Sequence, residues 1–294
     1  MSLKDWIKGH VAAFDVAVRP WAGRSPANGF AYEFLLFGLK QAWACLFGGA
    51  MVGLLVATHY LWPAAAPLAR YDFLVACALA LQALLLATRL ERWDEALVIL
   101  VFHVVGTIME VFKVAHGSWI YPENSVLRIA GVPLFSGFMY ASIGSYIARA
   151  WRLFEIRFQN YPPVWGPWLL ALLSYANFFT HHFLPDIRWG LFVFSIALYA
   201  RGAFTFTADL NPRRMPMLLG FGLVTLFIWF AENIGTFTAT WVYPHQGVQW
   251  RPVGLAKLGS WYLLMMLSFV LVTLVHPARA EETKPRASTD LTAG

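Results

Sequence analysis

Charged side chains are scarce in this sequence. Asp, Glu, Lys and Arg make up 13% of its 294 residues, whereas soluble domains average about 25%. Hydrophobic residues make up 59%, and the mean hydropathy is +0.56. This composition excludes an ordinary soluble domain, because long apolar runs are stable in lipid as helices that satisfy their own backbone hydrogen bonds. We predict an all-α, polytopic membrane protein.

Cysteine residues are also scarce, and so are the residue spacings that are typical of metal sites. The two cysteines, Cys45 and Cys77, both lie in apolar segments, so they exclude a disulfide framework and favour a packing role. The sequence contains no His-x-x-x-His and no Cys-x-x-Cys spacing. We therefore predict neither a metal nor another cofactor.

Lys and Arg outnumber Asp and Glu, 22 to 16, but they occur in short connectors rather than along one face. Such a distribution is typical of membrane-topology signals and not of a nucleic-acid interface. The expected partners are membrane lipid and a hydrophobic small molecule, with no nucleic acid. The sequence does not define an oligomeric state.

Eight apolar segments are predicted to cross the membrane. Their approximate bounds are 34–58, 72–88, 96–114, 131–150, 165–184, 189–206, 217–240 and 259–276. The second and sixth are short, which is compatible with a tilted or partly re-entrant segment. Residues 1–29 are predicted to form an amphipathic interfacial segment, because their apolar residues recur at helical spacing, and no cleavable signal is expected. Residues 277–294 are predicted to be a disordered cytoplasmic tail.

The distribution of Lys and Arg predicts the orientation. Fifteen of the 22 lie on the side that holds both termini, and six lie on the opposite side. Because positive residues are retained on the inner side, both termini are expected in the cytoplasm, with the protein in the bacterial cytoplasmic (inner) membrane.

Two stretches repeat at a fixed distance: "EVFKVAHGSWIYP" begins at Glu110, and "ENIGTFTATWVYP" begins 122 positions later at Glu232. The same shift superimposes other uncommon residues, namely His59 on His181, Arg92 on Arg214, Gly137 on Gly259 and Tyr140 on Tyr262. We interpret the shift as a tandem duplication into two four-helix repeats, 30–151 and 152–276. Because four is an even number, the repeats would be parallel and would share a cleft. The alternative is coincidence among interfacial aromatic residues.

Glu110 and Glu232 are predicted to lie inside the membrane near its outer face. Glu110 would be about 9 Å below the outer boundary, from a rise of 1.5 Å per residue. A charged side chain at a span centre costs roughly 2.5–3.5 kcal/mol, so such groups pair, take up a proton or face a cavity. Both are catalytic candidates as proton donors, with interhelical hydrogen bonding as the alternative. His103 lies on the same helix face as Glu110 and is a third candidate, or simply bonds a neighbour.

The segment "THHFLPDIRW" supplies the other catalytic candidates, His181, His182 and Asp186. The two histidines would point about 100° apart on a helix, so both could bind one metal only if the helix unwound. His182 and Asp186 are four residues apart and are predicted to share a ligand or a proton. The alternative is a simple hydrogen-bonded cluster at a helix end.

The substrate-binding candidates share a position near these groups at the outer helix ends. They are Trp119, Tyr121, Trp241, Tyr243, Asn233, Arg188 and His59. The aromatic residues are expected mainly at the headgroup level as anchors, with the mouth of a ligand cleft as their alternative role. Asn233 is predicted to hydrogen-bond the carboxyl of Glu232.

Three strings, "FTHHFLPDIRWGLFVF", "FIWFAENIGTF" and "KLGSWYLLMMLSFVLV", resemble a bacterial inner-membrane family described only as domain of unknown function 817. The resemblance covers about residues 30 to 276 and implies a polytopic membrane protein without an assigned activity. A fainter similarity is to the membrane carotenoid hydratase and lycopene cyclase families. It rests on Glu110, on "GSWIY" at 117–121 and on "GVPL" at 131–134, and the second copy lacks the last string.

Three functions fit these features. The first is an acid/base enzyme acting on a lipid or isoprenoid substrate, and the second is a proton-coupled small-solute transporter. The third is a structural or sensing membrane protein without catalysis. Most polar candidates lie on the outer side, which favours a one-sided site over a path across the membrane, and so favours the enzyme.

Overall fold

The structure is a computed structural model, and it describes residues 3–63, 65–246 and 249–277. The described helices are α1 (Leu3–Ala22), α2 (Pro26–Ala44), α3 (Leu46–Leu61), α4 (Arg70–Ala87), α5 (Trp93–Ala115), α6 (Phe135–Leu153), α7 (Trp165–Thr180), α8 (Arg188–Tyr199), α9 (Met217–Phe237) and α10 (Ala256–Thr273). The strands are β1 (Arg128–Ile129), β2 (Val132–Pro133), β3 (Arg157–Gln159), β4 (Ala203–Thr207) and β5 (Pro212–Pro216). All but the first residue of the predicted tail, 277–294, lies outside the described residues.

Helices α5 and α6 pack closely because small residues allow it. A Cβ atom on Gly106 of α5 would come within 2.6 Å of the Tyr140 side chain on α6. A Cβ atom on Gly144 of α6 would come within 2.7 Å of the Phe102 ring on α5. Glycine therefore brings the two helix backbones near each other, as is common where no hydrophobic effect drives association within lipid. This pair holds Glu110 and Tyr140 side by side.

The first predicted span, 34–58, is broken. Helices α2 and α3 together have the length and composition of a span, but they are bent by 69° at Cys45. Beyond the bend, Gly48 approaches Ser142 of α6, where an added Cβ would lie 3.2 Å from the serine Cβ. The bend leaves a space between α2–α3, α6 and α9, which forms the cavity described below.

The sixth predicted segment, 189–206, is helical only as far as Tyr199. Gly202 and the alternating sequence Ala-Phe-Thr-Phe-Thr then favour a strand, and β4 pairs antiparallel with both β3 and β5. The strands β1 and β2 form a small antiparallel pair before α6. The all-α expectation is therefore corrected: helix dominates, and two small sheets connect the helices.

By length and composition, four described helices can cross a membrane, and the bent pair would make a fifth; the four are α4, α5, α9 and α10. Helices α7 and α8 have 16 and 12 residues. At 1.5 Å per residue they extend about 24 and 18 Å, which is less than the hydrocarbon thickness of about 30 Å. Helix α6 ends with Arg149 and Arg152. The prediction of eight spans is therefore not supported.

The two predicted four-helix repeats are not supported either. Helices α2 to α6 account for the first predicted repeat, whereas α7 to α10 and a three-stranded sheet account for the second. The bend between α2 and α3, together with the shortness of α8, makes the two halves unequal at the level of whole helices.

An ion pair is buried where α6 meets the connector between α4 and α5. Arg149 Nη2 lies 3.2 Å from Glu91 Oε1, and neither side chain is exposed. Gln82 donates a second hydrogen bond of 2.6 Å to Glu91 Oε2. Burial raises the pKa of the Glu91 carboxyl, and the charge of Arg149 partly offsets that effect. The sequence indicated Arg149 only as a topology signal, but its charge stabilises the buried carboxyl group of Glu91.

We expect Arg149→Leu to destabilise the protein by about 3–5 kcal/mol, because it leaves the Glu91 carboxylate buried without its cation. Thermal unfolding of the purified protein in detergent measures the effect. The matched control is Arg92→Leu, since Arg92 is 62% exposed and pairs with the partly exposed Asp94; there we expect a loss of about 0–1 kcal/mol. Equal losses in the two variants would contradict the role of the buried pair.

Candidate functional site

The carboxyl group of Glu110, on α5, is enclosed by three hydrogen-bond donors. Trp119 Nε1 and the Tyr121 hydroxyl each donate to Oε2 at 2.7 Å, and the Tyr140 hydroxyl donates to Oε1 at 2.7 Å. Only 4% of Glu110 is exposed. Because every neighbour is a donor, this environment suits an ionised carboxylate, which only accepts hydrogen bonds.

Glu232, on α9, has a similar but incomplete set of donors. Trp241 Nε1 donates to Oε1 at 3.0 Å, and the Tyr243 hydroxyl donates to the same oxygen. Oε2 has no donor among the described residues, and Glu232 lines the cavity described below. Glu232 therefore retains one oxygen that can exchange a proton or bind a ligand, whereas Glu110 does not.

Burial and the neighbouring carboxylates raise the pKa of the Tyr121 and Tyr243 hydroxyls well above the usual value. Both phenols therefore remain protonated and act as donors near neutral pH. Their position differs from the expectation of headgroup anchors: Trp119, Trp241 and Tyr243 are less than 10% exposed. The reason is that each loop folds back over the end of its own helix, which brings its Trp and Tyr to the Glu that precedes them.

The two loops meet each other as well. Ile120 and Val242 form an antiparallel bridge, in which the N–H of each donates to the carbonyl of the other at 3.0 and 2.9 Å. The ring centroids of Trp119 and Tyr243 lie 5.9 Å apart. The loop contacts thereby join the two carboxyl groups into one site.

Both carboxyl groups line a cavity of about 760 Å³. A volume between about 300 and 1,000 Å³ is typical of sites for small molecules. Bent helices α2 and α3 form one wall of the cavity, α6 forms the second and α9 forms the third. Most of the lining is apolar, and it includes Phe37, Val52, Met139 and Val224.

The rim of the cavity contains large exposed apolar side chains. Phe34 on α2 is 66% exposed, and Phe227 and Phe230 on α9 are 70% and 47% exposed. Such residues face lipid in a membrane protein. The cavity thus opens sideways between α2 and α9, at the level of the apolar helix surfaces.

Sequence reasoning missed two residues of this site. Tyr140 was noted only as one half of a repeated pair with Tyr262, yet it is the third donor to Glu110. Lys257 was counted only as a topology charge, yet its Nζ lies 4.4 Å from the Tyr243 ring centroid and 5.2 Å from that of Trp119. The repeated Tyr was an available signal for the first, but no pattern in the sequence indicated the second.

His103 does not join the carboxyl groups. Its ring packs 4.4 Å from the Phe138 ring, and its Nδ1 is buried without a hydrogen-bond partner among the described residues. An added Cβ on Gly137 would lie 2.4 Å from that Nδ1. The shared helix face of His103 and Glu110 did not bring them together because two helical turns separate them and α6 covers the histidine.

His181 and His182 form a separate cluster around Lys113. Helix α7 ends at Thr180, and in the turn that follows both Nε2 atoms converge on Lys113 Nζ, at 3.2 and 2.9 Å. Burial, together with the charge of Lys113, lowers the pKa of His182. The helix does end before the two histidines, but the amine of Lys113 lies where the two imidazoles meet, and the described residues hold no metal-binding group of three or more His, Cys, Asp or Glu side chains.

Asp186 is not paired with His182, as the spacing had suggested. Its Oδ2 lies 2.5 Å from Arg188 Nε, and its Oδ1 accepts a hydrogen bond from Asn177 Nδ2 at 3.0 Å. Burial raises the pKa of Asp186, but these hydrogen bonds outweigh burial and the net shift is downward. Arg188 and Asp186 therefore stabilise the turn before α8.

The last two candidates also bond elsewhere. Asn233 does not reach Glu232: its Nδ2 donates to the Trp229 carbonyl and its Oδ1 accepts from the Val253 N–H, both at 2.8 Å. His59 Nδ1 lies 3.2 Å from the Thr238 carbonyl oxygen. A side chain adjacent to Glu232 in sequence points about 100° away on the helix, which explains why Asn233 faces the loop instead.

We expect Tyr140→Phe to destabilise the protein by about 1.5–3 kcal/mol, because it removes a hydrogen bond to a buried charged group. Tyr262→Phe is the matched control, since the Tyr262 hydroxyl bonds the neutral Ser195 hydroxyl at 2.8 Å; its loss should be about 0.5–1.5 kcal/mol. Thermal unfolding in detergent compares the two. A larger loss for Tyr262→Phe would contradict the assignment of Tyr140 as a donor to an ionised carboxylate.

Comparison with known proteins identifies the family. The model of the family "Protein of unknown function (DUF817)" matches residues 33–269. "Uncharacterized protein YoaT" of Bacillus subtilis (strain 168) is 40% identical over 258 residues, which cover 88% of this chain and 97% of that protein. No solved structure matches, and similarity to the carotenoid hydratase family is not shown. Since the family model covers most of the chain, including both glutamates and both aromatic loops, this protein belongs to the DUF817 family.

Proposed function

We propose that this protein is a membrane-embedded acid/base enzyme that acts on an apolar lipid or isoprenoid substrate. The observation behind the proposal is the pair of carboxyl groups at one end of a large apolar cavity. One of them, Glu232, keeps an oxygen without a donor among the described residues. The other, Glu110, accepts a hydrogen bond at each of its two oxygens, from three donors in all.

The two carboxyl groups suit different roles. Glu232 acts as the general acid: the proton on Oε2 is transferred to one carbon of a substrate double bond, whose π electrons form the new C–H bond. The neighbouring carbon becomes cationic. The Glu110 carboxylate and the nearby aromatic faces stabilise that charge in a site with little water. A proton then leaves a carbon adjacent to the cation and returns to Glu232, and the C–H electrons form a new double bond, which gives a double-bond isomer with no net consumption of protons.

The partners of the inner polar residues support a one-sided enzyme over a transporter. A transporter needs free polar groups along the inner half of its path. Lys40 Nζ donates to the Thr207 carbonyl at 3.0 Å, and Gln82 donates to Glu91 at 2.6 Å. Gln41 accepts a hydrogen bond from Tyr146 at 2.9 Å. These amine and amide groups bond within the protein, although the amide oxygen of Gln82 has no partner among the described residues. The Glu232 oxygen that lacks a described donor lies near the ends of α5 and α9 instead.

The loop geometry supports an origin of the site by duplication. Ile120 and Val242, which bridge each other, are themselves 122 positions apart, as are Glu110 and Glu232. Two equivalent residues that pair antiparallel are related by a local two-fold axis that passes between them. The duplication we propose would therefore have created two copies of one Glu-Trp-Tyr unit. Their surroundings later diverged, since Tyr140 bonds Glu110 whereas its counterpart Tyr262 bonds Ser195.

The number and direction of the membrane passes are also part of the proposal. Lys113, at the end of α5, contacts His181 at the end of α7, and Tyr71, at the start of α4, donates to the Thr240 carbonyl at 2.8 Å. Such contacts support an alternating direction for successive helices, with α6, α7 and α8 as additional passes shielded by the longer helices. Positive-inside counting then gives a multi-pass protein of the bacterial inner membrane, with cytoplasmic termini and an outward-facing site.

We expect Glu232→Gln to reduce the rate of substrate turnover by roughly 10²–10⁴-fold, because the amide cannot act as a general acid. The measurement is a comparison of the membrane lipid and pigment profiles of strains that carry the wild-type and the variant protein. Glu155→Gln is the control, since Glu155 is exposed and lies outside the cavity lining.

Glu110→Gln should give a partial defect, because it removes a charge but not the proton donor. The enzyme proposal fails if Glu232→Gln inserts at normal levels and leaves every lipid and pigment species unchanged. A defect in solute uptake without a change in lipids would favour the transporter instead.

A further inference from the structure

The charged side chains in the described cavity lining are of one sign. They are Glu110 and Glu232, and this lining contains no Lys, Arg or His. Lys257 lies behind the lining over the rings of Trp119 and Tyr243, and its positive charge also acts on both carboxyl groups. A ligand with a phosphate or carboxylate head would therefore bring a negative charge toward carboxyl groups, with no cation in the wall to compensate it.

Aromatic side chains surround the same end of the cavity. Trp119, Tyr121, Tyr140, Trp241, Tyr243 and Trp261 all belong to the lining. Aromatic rings attract a cation over their faces, and groups of such rings recognise quaternary ammonium ions. The amine of Lys257 already uses the faces of two of these rings from outside the cavity, at 4.4 and 5.2 Å from their centroids.

The rest of the cavity suits an apolar chain. Its wall along α2, α3 and α9 includes Phe34, Phe37, Val52, Leu223 and Phe227. The rim is exposed at Phe34 and Phe227, so a chain can pass from the lipid phase into the cavity without crossing water. The polar groups lie at one end and the apolar wall extends from them, which matches an amphiphile with one head and one chain.

We propose that the cavity binds a single-chain amphiphile whose head bears a positive charge on nitrogen, with the head between Glu110 and Glu232 and the chain along α2, α3 and α9. The inference rests on the proposed function in one respect: an ammonium head would mimic the cation formed when Glu232 protonates a double bond. The site discriminates by charge, since a neutral head gains only a hydrogen bond to Glu232 Oε2 and an anionic head is repelled.

Cys45 offers a direct readout of occupancy. Its side chain lines the cavity at the bend between α2 and α3, and it is exposed and not in a disulfide. Cys77, on α4, is outside the lining and serves as the internal reference. In lipid nanodiscs, alkylation by N-ethylmaleimide is followed at Cys45 in a Cys77→Ala protein, and at Cys77 in a Cys45→Ala protein.

The probes are dodecyltrimethylammonium, dodecanol and dodecyl phosphate, which share one chain and differ in the charge of the head. We expect the ammonium probe to protect Cys45 at a concentration about tenfold lower than dodecanol, in line with a desolvated cation–π contact. Dodecyl phosphate should not protect Cys45, and no probe should protect Cys77. In Glu110→Gln protein the advantage of the ammonium over the alcohol should shrink.

Protection by dodecyl phosphate at the same or a lower concentration than the ammonium would overturn the proposal. So would equal protection by the ammonium and the alcohol, or equal protection of Cys45 and Cys77, which would indicate an effect of the probes on the bilayer alone. Binding is measured without turnover. Selective binding with unchanged lipid profiles in Glu232→Gln strains would refute the enzyme and leave the ligand class intact, and the reverse result would refute only the ligand class.

Discussion

Two carboxyl groups buried in an apolar helix bundle require hydrogen-bond donors, and the donors that reach them constrain the structure around them. At Glu110 and Glu232 the donors are indole N–H and phenol O–H groups, which remain neutral and satisfy a carboxylate without a partner cation. Each loop must fold back over its own helix to deliver them. That fold explains the burial of three aromatic side chains that otherwise suit a membrane interface.

The same requirement explains the shape of the cavity. Tyr140 reaches Glu110 only because Gly106 allows α6 to lie close to α5. The bend at Cys45 turns α2 away from this tightly packed pair, and the space left against α9 is apolar up to the two acids. Dense packing on one side and a broken helix on the other thus combine a fixed pair of carboxyl groups with an open pocket.

The buried carboxyl groups of this protein have two different kinds of surroundings. Near the connector of α4 and α5, Glu91 is neutralised by Arg149 and fully enclosed. At the cavity, the hydrogen bonds that the described residues donate to the carboxyl groups come from neutral donors. The amine of Lys257 lies over the rings of Trp119 and Tyr243 and acts on the carboxyl groups through its charge. An ion pair in direct contact stabilises helix packing, whereas a carboxyl group without such a pair can still respond to a proton or to a ligand. This contrast separates the structural acids from the candidate functional ones.

The sequence by itself determined the membrane class, the family and the spacing within the two Glu-Trp-Tyr units. The low content of charged residues indicates directly that the chain lies in lipid. Each Glu is followed by a Trp nine residues later and by a Tyr eleven residues later, and this spacing brings the three side chains together in any fold whose loop returns onto its helix. The sequence could not determine which polar residues meet across helices. His103, Asp186 and Asn233 all had suitable spacing, yet each bonds elsewhere, because a helical repeat fixes the direction of a side chain and not the neighbour that it encounters.

Only the tertiary structure decided that Tyr140 and Lys257 adjoin the site and that the first apolar segment is bent. The tertiary structure likewise decided that one oxygen of Glu232 has no donor within the described part of the chain. It also decided the extent of the helices, since α7, α8 and the strand after α8 depend on packing and turn geometry that hydropathy does not register. Contacts between residues far apart in sequence arise from close packing of whole helices, and such packing has no signature in a local pattern.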